Sequence, residues 1–238
     1  PPPGNTCNTP SGKPASRAAS ASNRALQGVN WAGLRITQFP AANAAAVALL
    51  GSQSVHLLKA PQLIVRSLIA AVAFTLFMQA FHLPVGPSEL HFLGAMPLYL
   101  ALGFVPTLFG FALGLLAQGL IFAPADLLHL GVNTLSLALP LVLVHATLGQ
   151  RLRAADTRPT LRSILKLDAA FYGGVTLMIG FWLAIGEVAT PLSAWLSFAS
   201  SYAAIVAVEP ILTLLAVHAI ARSQHSAVVR LCFQPQAV

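Results

Sequence analysis

Between Arg66 and Arg151 the chain carries no lysine or arginine, and the residues there are grouped into long apolar runs. Soluble domains draw roughly 25% of their residues from Asp, Glu, Lys and Arg. This chain of 238 residues is 8% charged and 56% hydrophobic, with a mean hydropathy of +0.75. It cannot cover itself with a surface that water will solvate. Within lipid, each spanning segment must satisfy its own backbone N–H and C=O groups. The expected fold is therefore an all-α polytopic membrane protein.

Apolar runs fall at about 41–58, 63–81, 91–105, 107–122, 127–149, 164–186 and 192–221. A full crossing needs ~20 residues at 1.5 Å rise each. The third and fourth runs fall short, which suggests six to seven transmembrane helices, two of them short, with Pro106 at the break between those two. The first run, "AANAAAVALLGSQSVHLL", is weakly apolar and leaves open whether it crosses.

Charge placement orients the runs. Lys59 and Arg66 mark one side, as do the cluster Arg151, Arg153, Arg158, Arg162 and Lys166 and the pair Arg222 and Arg230. By the positive-inside bias this is the cytoplasmic side. The outer loops are then 82–90, 123–126 and 187–191, which hold Glu89, Asp126 and Glu187 and no base. The net charge of +7 thus follows membrane topology, and nucleic acid is not an expected partner. Residues 1–40 are Pro-, Ser- and Ala-rich and read as a disordered or non-native tail, 41–222 as the transmembrane domain and 223–238 as a cytoplasmic tail. Cys7 and Cys232 lie near opposite ends, so no disulfide framework or Cys metal site is indicated.

The stretch "HLPVGPSELH", residues 82–91, gathers His82, Ser88, Glu89 and His91 at the outer face, and Asp126 and His129 flank the next outer loop. Neutral imidazole with carboxylate suits divalent ions such as Zn, Ni or Co, and an anionic rim concentrates cations. Imidazole must be neutral to ligate, so such capture weakens as pH falls below ~6.5. A plainer reading stays open: Ser88 as a helix N-cap, Glu89 in the first turn, and both histidines at the interface.

Glu209, in "AIVAVEPILTLL", is an intramembrane carboxylate, an expensive group that faces a bundle interior or a cavity. It either relays protons or cargo, or braces the kink at Pro210. Asp168, two residues after Lys166, reads as an interfacial partner. Gly110 and Gly114 form a GxxxG suited to close helix contact within the bundle. The sequence contains no GxxxxGK[ST], HExxH or GxSxG, so neither a nucleotide-binding loop nor an enzyme motif is legible.

Residues 82–140 resemble the CbiM/NikM-type substrate-specific components of energy-coupling-factor transporters, and especially their divergent bacterial permease branch. "PVGPSELH", "GLLAQGLIFAPADL", "GVNTLSLALP", "LDAAFYGGVTLMIGFW" and "SYAAIVAVEPIL" carry the similarity over about 60–220. The resemblance implies a binder of Co2+ or Ni2+ in the bacterial inner membrane, without an intrinsic cofactor, supplying cobalamin synthesis when the cargo is cobalt. Its partners would be a transmembrane coupling subunit and ABC ATPase subunits. It also implies that His91 is the loop histidine of the metal site, and that Asn133 and Ser136, in the "GxNxxS" pattern, shape it. His82, Glu89 and His129 are the further candidate ligands, and Ser88 a further shaping residue. The family's amino-terminal Met-His chelate is not seen in the given sequence, which begins "PPPGNT" and contains no Met-His. The expectation is either that the given start is a fragment or misread frame joined to the family body, or that the chelate is lost and metal binds through His82, Glu89, His91 and His129. Two other classes remain: a membrane assembly subunit without cargo, and a stand-alone ion-coupled carrier using Glu209.

Overall fold

The computed structural model describes residues 38–85, 88–154, 159–186 and 190–233. Most of the expected tail and Glu187 lie outside the described residues. Helix α1 (Gln38–Lys59) is followed by α2 (Gln62–Ala80) and by a two-stranded antiparallel hairpin of β1 (His82–Val85) and β2 (Ser88–His91). Next come α3 (Ala95–Leu102), α4 (Phe104–Ile121), a 3-10 turn (Pro124–His129) and α5 (Leu130–Val144). A π-helical turn (His145–Gly149) carries α5 into α6 (Gln150–Ala154), and α7 (Leu161–Ile185), α8 (Leu192–Arg222) and α9 (Ala227–Cys232) complete the chain.

Among the described residues, six helical segments are long and apolar enough to cross a membrane, one of them Phe39–Lys59, the weakly apolar first run. The helix starts at Gln38, a little before the expected edge of the tail. The third run differs from expectation. Its helix is only eight residues long, about 12 Å at the α-helical rise, and Ser88–His91, shortly before it, form a strand. Strand β2, Phe92–Gly94 and α3 together carry the chain from the hairpin to Phe104, whose ring stacks on His145 at the end of α5 that leads to Arg151. The crossings between Arg66 and Arg151 therefore stay even in number although one of them is composite.

A strand at membrane depth is tolerated only where protein surrounds it. Here Ser88 and Leu90 are buried, and so is every residue of α3. The break between the short runs lies at Gly103 and not at Pro106. Pro106 sits in the first turn of α4, where the N–H that proline lacks has no intrahelical partner to lose. Gly94 and Gly103, with φ of 60° and 95°, bracket α3 and let the chain turn from strand to helix and from helix to helix.

Around α3 the core is aromatic. Phe74 of α2 meets Phe111 of α4 at 5.0 Å between ring centroids, Phe111 meets Phe171 of α7 at 6.0 Å, and Tyr172 stacks on Tyr202 of α8 at 5.1 Å. The GxxxG pair works internally, as its spacing suggested: a Cβ on Gly110 or Gly114 would come within 3.1 Å of the α2 backbone at Ala70 or Ala71. Leucine, valine and phenylalanine side chains such as Val72, Leu76, Leu177, Phe181 and Leu215 face outward, as lipid contact requires. The carboxy-terminal segment is tied back to α2, for Arg66 donates to the carbonyls of Arg230 (2.8 Å) and Leu231 (3.0 Å). Helix α7 begins at a capping box between Thr160 and Ser163.

At φ 95° and ψ 171°, Gly103 occupies a region that a side chain makes costly. Gly103→Ala is expected to destabilise the fold by about 1–3 kcal/mol. Gly51, by contrast, is helical, and a Cβ added there would meet nothing within 4 Å, so Gly51→Ala should be neutral or slightly stabilising. Thermal unfolding midpoints of the two variants in detergent check the contrast.

Candidate metal site

The hairpin register pairs His82 with His91 and Pro84 with Glu89. Strand alternation sends Ser88 and Leu90 into the bundle and leaves Glu89 and His91 half-buried at its outer end. Ser88 is therefore a strand residue and not a helix N-cap, and Glu89 is not in a helical first turn. Helix α3 starts later, after Gly94, because Gly94 provides the left-handed turn that ends the strand.

A cavity of about 110 Å³ opens beneath the hairpin. Ser88, Glu89 and His91 line it from β2, Asp126 from the 3-10 turn, Gln118 from α4, and Asn133 and Ser136 from α5. Met78, Leu93, Val175 and Ile179 supply part of an apolar wall, and Tyr202 comes in from α8. The polar set is thus gathered from elements that are far apart in sequence.

Within the cavity, His91 Nε2 lies 3.2 Å from Glu89 Oε2. With the Nε2 proton donated to the carboxylate, Nδ1 carries the lone pair, and this buried atom has no hydrogen-bond partner among the described residues. The two ring nitrogens are thereby distinguished, one oriented by a carboxylate and the other left able to ligate. Asp126 lies within electrostatic reach of both Glu89 and His91. Ser136 is fixed from two directions, donating to the Val132 carbonyl (2.8 Å) and accepting from the Trp182 indole N–H (3.0 Å).

The other candidates sort differently. His82 stacks beside His91, ring centroids 6.2 Å apart, but is exposed and does not line the cavity. His129 packs against Phe39 at 4.9 Å and also stands outside the lining. Glu209 is buried deep in the bundle and does not reach the cavity. Its carboxylate does not serve the Pro210 kink either; it accepts from the Met96 N–H at 2.9 Å and from the Tyr172 hydroxyl. The Glu209 carbonyl, beside the kink, accepts from the Thr213 hydroxyl. Asp168 is fully buried, not interfacial: two residues along a helix turn the side chain about 200° away from Lys166. Asp126, which the sequence put on the same face as Glu89 and His91 but not among the candidate ligands, also lines the cavity, as do Gln118 and Tyr202, single polar groups inside apolar runs that no sequence signal marked. Among the described residues, no three His, Cys, Asp or Glu side chains converge as a ready-made metal cage.

The profile of the CbiM family, described as the cobalt uptake substrate-specific transmembrane region, matches residues 33–227. No curated protein and no solved structure matches the chain.

Ser136 is the acceptor for the Trp182 indole. Ser136→Ala leaves that buried N–H unsatisfied and should cost about 1–3 kcal/mol. Tryptophan fluorescence during thermal unfolding reads the loss.

Proposed function

The chain belongs to the CbiM family of cobalt uptake transmembrane regions, and on that premise we propose that it captures Co2+ at the outer face in the cavity beneath the β1–β2 hairpin. The observation that carries this reading is the buried, unpartnered Nδ1 of His91 in a ring whose other nitrogen meets Glu89. Carboxylate–imidazole–metal arrangements of this kind fix the tautomer and raise ligand basicity. Asp126 adds negative charge opposite, which favours a dication over a neutral solute. Asn133, Ser136 and Gln118 offer oxygen atoms or ordered-water contacts to complete the coordination shell. His82 and His129 act outside that shell, at the rim.

Nickel is the alternative cargo, since an N,O donor set of this type accepts both ions and geometry decides between them. Transport against a gradient requires energy. In this proposal ATP hydrolysis falls to separate ABC ATPase subunits acting through a transmembrane coupling subunit of the energy-coupling-factor type. Lipid surrounds the outward leucines and valines, in keeping with the bacterial inner membrane.

Isothermal titration of Co2+, Ni2+ and Zn2+ into the full chain in detergent tests the proposal. Saturable Co2+ binding that His91→Ala abolishes is the expected result. Glu89→Gln, which keeps the shape but weakens the orienting contact, should lower affinity ~10–100-fold. Binding unchanged in His91→Ala would remove the hairpin from the site.

A further inference from the structure

Below the cavity, two carboxyl groups meet in the centre of the bundle. Asp168 of α7 and Glu209 of α8 are both at 0% exposure, and their carboxyl groups lie within interaction range of each other. Among the described residues, neither Asp168 oxygen meets an N–H or O–H donor. The group facing them is another carboxyl, and two carboxylates are acceptors only. Among the described residues, no lysine, arginine or histidine forms an ion pair with either. Two unpaired negative charges side by side at this depth cannot both persist, so a proton must lie between them.

We propose that Asp168 and Glu209 share one proton, Asp168 as the carboxylic acid and Glu209 as the carboxylate, and that this pair positions α3 and the hairpin above it. The assignment within the pair follows from donors. Glu209 Oε1 accepts the Met96 N–H, Oε2 accepts the Tyr172 hydroxyl, and the backbone of Ala95 adds a further contact. The two backbone groups belong to the first turn of α3, whose dipole also favours negative charge there. Asp168 has none of this and is the member that carries the proton.

Two links run from the pair to the hairpin. Met96 lies five residues after His91, so the capped first turn of α3 anchors the strand that precedes it. Tyr172 stacks on Tyr202, and the Tyr202 side chain reaches the backbone of His91, with which it lines the cavity. The aromatic group facing the pair is the Tyr172 hydroxyl of α7, and α3 contributes backbone only. Asp168 and Glu209 are thus positioning residues that touch no cargo.

The proton and the positioning are read separately, and neither reading needs cobalt. Infrared spectroscopy of the full chain in detergent at about pH 8, where ordinary carboxyls are ionised, should show the carbonyl stretch of an undissociated carboxylic acid. Asp168→Asn should remove that band. A spectrum without it overturns the shared proton, and so does a band that survives in Asp168→Asn. Hydrogen–deuterium exchange over residues 88–102 reads the positioning. Asp168→Asn, whose amide still donates to Glu209, should exchange like the unaltered chain. Asp168→Leu or the smaller Asp168→Ala, which cannot donate, should exchange ~tenfold faster there. Equal exchange in Asn and in Leu or Ala overturns the positioning role.

Discussion

A strand and a two-turn helix replace a full transmembrane helix in one crossing, and the rest of the bundle is arranged around that substitution. Exposed strand edges and free helix ends are not tolerated in hydrocarbon, because nothing there can hydrogen-bond to them. Each end of α3 accordingly meets a partner. Its first turn gives an N–H to Glu209, and Gly103 closes its last turn onto the Tyr99 carbonyl. Strand β2 is paired with β1, and the aromatic run through Phe74, Phe111, Phe171 and Tyr172 fills the space a longer helix would have occupied. All eight residues of α3 are buried as a result.

The same substitution creates the candidate site. A helix ending at the membrane surface would present its side chains radially, whereas the hairpin holds Glu89 and His91 over an opening between α4, α5 and α8. Polar groups from β2, the 3-10 turn and α5 line one part of that opening, and Met78, Leu93 and Val175 line another. An apolar wall lowers the local dielectric and so strengthens whatever the polar part holds.

Much of the fold was legible because apolar length and the placement of lysine and arginine are robust signals in a membrane chain. The gathering of Glu89, His91 and Asp126 at one end of the bundle followed from them. What the sequence could not reveal was register. His82, His91 and His129 are equivalent as residues near outer loops, and only strand pairing and the 3-10 turn separate the one lining the cavity from the two at its edge. "SELH" is too short to declare itself a strand, so Ser88 read naturally as a helix cap. Pro106 was the conspicuous breaker, yet a proline in a first turn is silent, and the neighbouring Gly103 made the turn. Asp168 was paired with Lys166 by proximity along the chain, whereas its partner lies on another helix, and no local pattern marks such a contact.

Helix lengths in the bundle are unequal. At 19 and 18 residues, α2 and α4 extend roughly 29 and 27 Å, slightly less than a typical hydrocarbon core of ~30 Å. Helix α8, at 31 residues, extends roughly 46 Å. The GxxxG contact locks α2 and α4 side by side, so their shortness is concentrated on one face, the face that carries the hairpin between them in sequence. Hydrophobic mismatch costs fractions of a kcal/mol per Å. Bilayer thickness therefore acts on this bundle as a lateral bias: thicker membranes press first on the α2–α4 face, and lipid composition becomes a variable that reaches the hairpin without touching it.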